Sequence, residues 1–160
     1  MSGGVESKLE AMGYKLPPPF TFPKNNRTGC TQVGSLLLLS GHGLDLPKLP
    51  SVRQSGKFGL DITVEEGYAT ARAVALTMLA TIKAHTGDLD RIKRVLRLFG
   101  MVNCTPDFTQ PPQVIDGASD LFFELWGPEF GKHARSAVGH VSLPRGIAVE
   151  INGEFEVYDS

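Results

Sequence analysis

The segment GKHARSAVGHVSLPRGIAVEIN, residues 131–152, places Arg135 at the head of one apolar run and Glu150 near the middle of the next. A guanidinium offers a planar fork of donors that takes a carboxylate through two parallel bonds. Both charges interrupt a pattern that would otherwise bury cleanly, which raises the question whether the two act on the same molecule. The plain alternative is an ion pair on a strand surface, which contributes little. With both runs read as strands of a hairpin turning at Pro144 and Arg145, Glu150 faces Gly139. Arg135 then lies four residues further along, about 13 Å away at 3.3 Å per residue. Such a hairpin cannot bring them together, so a shared site would need a neighbouring subunit.

Other chemistry finds less support. His42, His85, His133 and His140 show no i,i+4 pair and no cysteine at ligand spacing, so no metal site is expected. SGHG contains G-x-G, but a loop follows it rather than a helix N-terminus, which argues against a dinucleotide fingerprint. No G-x-S-x-G serine motif occurs. The cationic residues in and around Ile92 to Leu98 alternate as they would to solvate one side of a strand.

Composition bounds the answer further. The chain has 160 residues, enough for one domain with a real core. Its 41% hydrophobic and 21% charged content is that of an ordinary globular protein. A formal net charge of −1 leaves no cationic excess for phosphate backbones. No apolar stretch approaches membrane-spanning length, and the first residues lack the layout of a secretory signal. Cys30 and Cys104 suggest neither a disulfide framework nor a metal knuckle. A reducing, cytoplasmic setting is expected.

Several elements must position the two charges. Val5, Leu9 and Met12 have helical spacing in a short segment from Gly4 to Met12, followed by the extended PPPF. Two short strands are predicted around Thr28 to Val33 and Ser35 to Ser40. GHGLDLPKLPSVRQSGKFG then reads as a long surface loop. Thr63 and Glu66 form a capping box. Behind it Ala71, Val74, Ala75, Met78, Leu79 and Ile82 hold one helical face as far as Gly87. A strand is predicted over Ile92 to Asn103 and a second helix from about Gln113 to Trp126, with Val114, Ala118, Leu121, Phe122 and Leu125 on one stripe. The terminal pair of strands completes an α+β arrangement with two main helices on one face of a sheet. Two helices can cover only one face, so an oligomer is the economical way to cover the other.

HARSAVGHVSLPRGIAVEI resembles the C-terminal signature of the reactive-intermediate deaminase (Rid) family, also called the endoribonuclease L-PSP family. There an A-R-S opens one strand and L-P leads to V-E-I. GSLLLLSGHG is similar to the family's G-N-x-x-x-x-S-G-Q segment, and DFTQPPQVIDGASDLFFELWG resembles its D-F-x-x-V-N-x-x-Y-x-x-F-F helix. The likeness runs from about Asn26 to Ile151. It implies a single α+β domain over residues 26–160, behind an N-terminal extension with a short helix over 1–25. The implied fold is chorismate-mutase-like, with a mixed sheet, assembled as a homotrimer with active sites in clefts between subunits. The implied reaction uses no cofactor and hydrolyses imine or enamine acids to 2-keto acids and ammonia. Arg135 falls on the family's carboxylate-binding arginine and Glu150 on the acid that activates water. Ser40 and Gly41 fall on the segment that offers backbone groups to the ligand.

Several lining positions depart from that pattern. The family's cysteine after the arginine is Ala137, its early tyrosine is Arg27, its helix asparagine is Asp116, and the glutamine of S-G-Q is His42. Asp116 and Arg27 change charge; either they form a mutually neutralising pair that leaves Arg135 available, or both point to solvent. Three functions follow as expectations: imine or enamine hydrolysis, RNA cleavage with translation inhibition, or carboxylate binding without turnover. The near-neutral charge counts against RNA as a partner.

Overall fold

A computed structural model describes residues 4–44 and 52–159. Strands β1 (Cys30–Val33), β2 (Leu36–His42), β3 (Ile92–Asn103), β4 (Ala134–His140) and β5 (Val149–Val157) form one sheet in the order β1-β2-β5-β3-β4. Helices α1 (Gly4–Ala11), α2 (Val64–Thr86) and α3 (Pro111–Phe130) complete the fold. The sheet is mixed. β3 and β4 run parallel, as a crossover through α3 demands, and the other neighbours are antiparallel.

This order corrects the expected terminal hairpin. β4 and β5 are consecutive in sequence, yet β3 lies between them and pairs with both. A tight turn can join only antiparallel neighbours. Here Pro144–Gly146 instead forms one 3-10 turn, with Arg145 in the left-handed region at φ 56°. That turn carries the chain past the sheet end and back to its middle.

The capping box at Thr63 and Glu66 is present on both sides, and Gly87 closes α2 with φ 85°. The predicted face, Ala71 to Ile82, is buried throughout. Helix α3 starts two residues earlier than expected because Pro111 and Pro112 occupy its first positions, where a missing N–H costs nothing. It breaks at Gly127 (φ 74°), where the sequence places its end, and a further turn follows to Phe130.

Two close approaches seat α3. Ile115 packs where a Cβ on Gly100 of β3 would stand, and a Cβ on Gly117 would come within 2.0 Å of the Tyr68 carbonyl oxygen on α2. Asp116 lies between these two anchored positions. Helix α1 docks as well. Asp90 accepts from the amides of Gly4 and Val5, Lys83 pairs with Glu6, and Val5 and Leu9 join the core.

Part of the expected surface loop is not at the surface. Residues 45–51 lie outside the described residues, but Phe58 is fully buried, stacks on Phe108 and bridges to Cys104. Its aromatic ring overrides the Gly-rich context around it.

Helices α2 and α3 cover one face of the sheet. The other carries Leu36 and Leu38 of β2, Phe99 and Met101 of β3, Val138 of β4, and the acidic side chains of β5. Arg97 pairs with Glu154 at 2.8 Å, and Lys93 with Glu156 at 3.2 Å, on this face. The cations of β3 therefore meet carboxylates across strands rather than water alone. Leu38 and Val138 remain 36% and 38% exposed.

Candidate functional site

Arg135 sits on the edge strand β4, level with Leu98 of β3, and points to the helix side. Its Nη1 donates to Oδ1 of Asp116 at 2.7 Å and to Oγ of Ser119 at 3.1 Å. Asp116 and Ser119 are three residues apart on α3 and so share one face. The Arg135 side chain is 22% exposed and that of Asp116 48%. Both hydrogen bonds of Arg135 among the described residues leave from one nitrogen, so Nη2 and Nε make none there. Ala137 is one pleat further on the same side and packs against the core.

Ser119 extends the network to His133. The His133 Nδ1 lies 2.7 Å from the Gly131 carbonyl oxygen, which can only accept, so Nδ1 carries the proton. Nε2, 2.9 Å from Ser119 Oγ, is then the acceptor for the serine hydroxyl. Burial pushes the His133 pKa down, the hydrogen bond to the Gly131 carbonyl opposes this, and the nearby Arg135 charge lowers it further, so the balance favours the neutral imidazole. These groups border an open groove of about 370 Å3. Helix α3 supplies Asp116, Ser119, Asp120 and Phe123, at helical spacing along one stripe. Lys132, His133 and Arg135 form the other side.

Glu150 is on β5, level with Met101 and, beyond it, with Val138. It points to the face away from the helices. A Cβ on Gly41 would stand 2.5 Å from its Oε2, so the carboxylate lies directly on the Gly41 backbone. Burial raises the Glu150 pKa, while the Arg145 charge and the nearby His140 pull it the other way. A carboxylate shifted upward is a stronger base than an ordinary surface one.

The two charges therefore occupy opposite faces of the sheet. Arg135 is two strands across from Glu150 and three residues along, which is about 10 Å in each direction. The hairpin register had placed them on the same side. Separation within one chain holds nonetheless, for a different geometric reason.

The remaining predicted residues disperse. The Ser40 hydroxyl donates to the Thr28 carbonyl at 2.6 Å and its amide donates to Gly29, so both groups serve the strand pair. His42 turns into the core, with Nε2 2.8 Å from the Thr81 hydroxyl of α2 and Nδ1 2.6 Å from the Ser40 carbonyl. It is buried, and both ring nitrogens are taken up by partners among the described residues. Arg27 lies over the Phe22 ring and donates to Asn26 at 2.9 Å. It precedes β1, at the sheet edge opposite β4, so it does not pair with Asp116 within the chain. Asp116 takes Arg135 instead. Cys30 and Cys104 are free and buried, and burial pushes the Cys30 thiol up to about 11.

Sequence reasoning missed Ser119 and treated His133 as one of several scattered histidines. A signal for Ser119 was available, since it stands three residues after Asp116 on the polar side of a well-marked helix.

A mixed five-stranded sheet with helices on one face and a polar groove between the edge strand and α3 defines a class of small α+β proteins. Residues 6–148 match the family described as "YjgF/chorismate mutase-like, putative endoribonuclease", and the chain belongs to that family. The match includes Arg135 and ends two residues before Glu150. Protein TCP17 of Trypanosoma cruzi is 42% identical over 157 residues, covering 98% of this chain and 96% of its own. A solved protein from Shewanella oneidensis MR-1, named a "putative endoribonuclease", has a TM-score of 0.87 at 35% identity. It aligns over 97% of this chain and all of its own. A protein of unknown function from Agrobacterium tumefaciens has a TM-score of 0.83 at 36% identity, over 96% and 92% of the two chains. The YjgF gene product of E. coli, at 16% identity and a TM-score of 0.57, shares the fold.

Proposed function

We propose that the protein hydrolyses reactive imine or enamine acids to 2-keto acids and ammonia, without a cofactor, in a cleft completed by a second copy of the chain. The observation that carries this reading is the open edge of the Arg135 guanidinium above a groove of small-molecule size. The substrate carboxylate takes that edge through two parallel bonds. An enamine tautomerises to the imine, which reacts in its protonated form. Water attacks the imine carbon, the C=N electron pair moves to nitrogen, and a carboxylate takes the water's proton. The carboxylic acid so formed returns that proton to the amine nitrogen. As the C–N bond breaks, the adduct's hydroxyl gives its own proton to the carboxylate, which forms the keto group and releases ammonia. Glu150 is the base this reaction needs, and its burial supports that role.

Arg135 and Glu150 of one chain face away from each other, so the active unit is an oligomer, and a homotrimer is the reading the family resemblance supports. The apolar side chains on the helix-free face give such an assembly its contact surface, and Glu154 Oε2 is buried there with no partner among the described residues.

The test is ammonia release from 2-iminobutanoate generated in the assay. Release above the spontaneous rate, lost in Arg135→Ala and in Glu150→Gln, is the expected result. A wild-type rate equal to the spontaneous one overturns the proposal. RNA cleavage is the second reading, favoured by the family description and by the name of the Shewanella protein. Cleavage of RNA that disappears as salt rises, with no ammonia release, would select it.

A further inference from the structure

The proposed reaction needs an arginine for a carboxylate, but it does not explain why a second carboxylate stands against that arginine. Asp116 touches Nη1 through Oδ1, and Oδ2 of its half-exposed side chain makes no hydrogen bond among the described residues. The groove walls carry Arg135 and Lys132 against Asp116 and Asp120, so its formal charges balance. The neutral His133 adds none. A balanced groove gives a simple anion no net attraction, and Asp116 opposes it directly. A ligand with a cation beside its carboxylate meets an opposite charge at each end.

We infer that the Arg135–Asp116 pair selects zwitterionic 2-amino or protonated 2-imino acids over the corresponding 2-keto acids. The ligand carboxylate takes Nη2 and Nε of Arg135, and its adjacent cationic nitrogen takes Oδ2 of Asp116. The two charges of such a ligand are separated by one carbon, and those of the pair by one hydrogen bond. Ser119 holds Nη1 from a second side and so keeps the free edge of the fork turned to the groove. Phe123, 42% exposed and one turn beyond Ser119 on the same stripe, offers an apolar wall to the ligand side chain. This inference rests on the proposed use of Arg135. It adds a consequence for turnover, since the product exchanges the cationic nitrogen for a neutral carbonyl and loses its hold on Asp116.

The probes are L-leucine and 4-methyl-2-oxopentanoate, which share a carbon skeleton and a carboxylate and differ at the nitrogen. Calorimetric titration at pH 7 of the wild-type protein should show leucine binding roughly 10- to 100-fold more tightly, the worth of one charge-assisted hydrogen bond. Asp116→Asn should remove that preference or reverse it, and Asp116→Glu, which keeps the charge, should retain its direction. Equal or tighter binding of the keto acid by wild type overturns the inference. So does an unchanged ratio in Asp116→Asn, or no binding of either probe at millimolar concentration. An unchanged ratio alongside ammonia release from 2-iminobutanoate defeats this inference and leaves the proposed function standing. A reversed ratio with no ammonia release defeats the proposed function alone.

Discussion

Nη1 of Arg135 donates to Oδ1 of Asp116 at 2.7 Å, joining the edge strand β4 to helix α3. The contact orients the guanidinium before any ligand arrives. It commits one nitrogen of the fork to the protein, and the opposite edge makes no hydrogen bond among the described residues.

Arg135→Lys should impair turnover of 2-iminobutanoate nearly as badly as Arg135→Ala. An ammonium can keep the pairing with Asp116, but it cannot also present two parallel donors to a ligand. The loss of a charge-assisted bond, about 1.5–3 kcal/mol, corresponds to roughly 10- to 100-fold in kcat/KM. Steady-state kinetics on the two variants check this. A lysine variant with wild-type kcat/KM would show that the fork is not used.

Glu150→Gln should abolish ammonia release and raise Tm at neutral pH. The folded protein holds the Glu150 pKa above its ordinary 4.5, so it binds that proton more tightly than the unfolded chain does. The associated stability is fully present below pH 4.5 and is lost as pH rises through the folded-state value. The Tm advantage of glutamine should therefore vanish in acid. Thermal melts of both proteins from pH 4 to pH 8 read the difference, and a glutamine variant less stable than wild type at pH 7 would contradict it. For activity, the wild-type kcat/KM should rise with pH through an apparent pKa above that of a surface glutamate.

Gly117→Ala should destabilise the protein by about 1–3 kcal/mol, as overpacking does where no side chain can yield. The added methyl meets the Tyr68 carbonyl oxygen and the Arg72 amide, which are backbone atoms of α2. Denaturant unfolding gives the magnitude. The same displacement moves Asp116, so the Arg135 pairing should loosen even in the surviving folded fraction.

Light scattering at micromolar concentration should return a trimer mass. Substituting Val138, on the helix-free face beside Met101, with Glu should lower it. A monomer mass for wild type would remove the means of bringing a second copy's Glu150 to Arg135.

The helices were legible in the sequence because their signals are local. The T-x-x-E box, Gly87 and the apolar stripe of α2 each act within a few residues, and the structure reproduces them. The strand over Ile92–Asn103 was equally plain. Strand order was not. A short connection between two strands ordinarily means a hairpin, and nothing near Pro144 signals that β3 will insert between β4 and β5. That error put Arg135 and Glu150 on one face. The candidate site residues were assigned from the resemblance, and their partners in the fold carried no local signal. Asp116 was matched with Arg27 on charge alone, and only the crossing of α3 over β4 shows that Arg135 is nearer. His42 looked like a lining residue and is instead committed to Thr81.

The position of β5 has a consequence for how the molecule is made. It follows every other strand in sequence and occupies the centre of the sheet. Before it is in place, β1-β2 and β3-β4 are separate ribbons, each with an open edge of unpaired amides and carbonyls. Such edges are the surfaces on which chains pair wrongly with one another. The strand that carries Glu150 also joins these halves, so a chain interrupted before Val149 loses more than that carboxylate. It lacks the contacts that turn two ribbons into a single cooperative unit, and it exposes the edges on which chains aggregate.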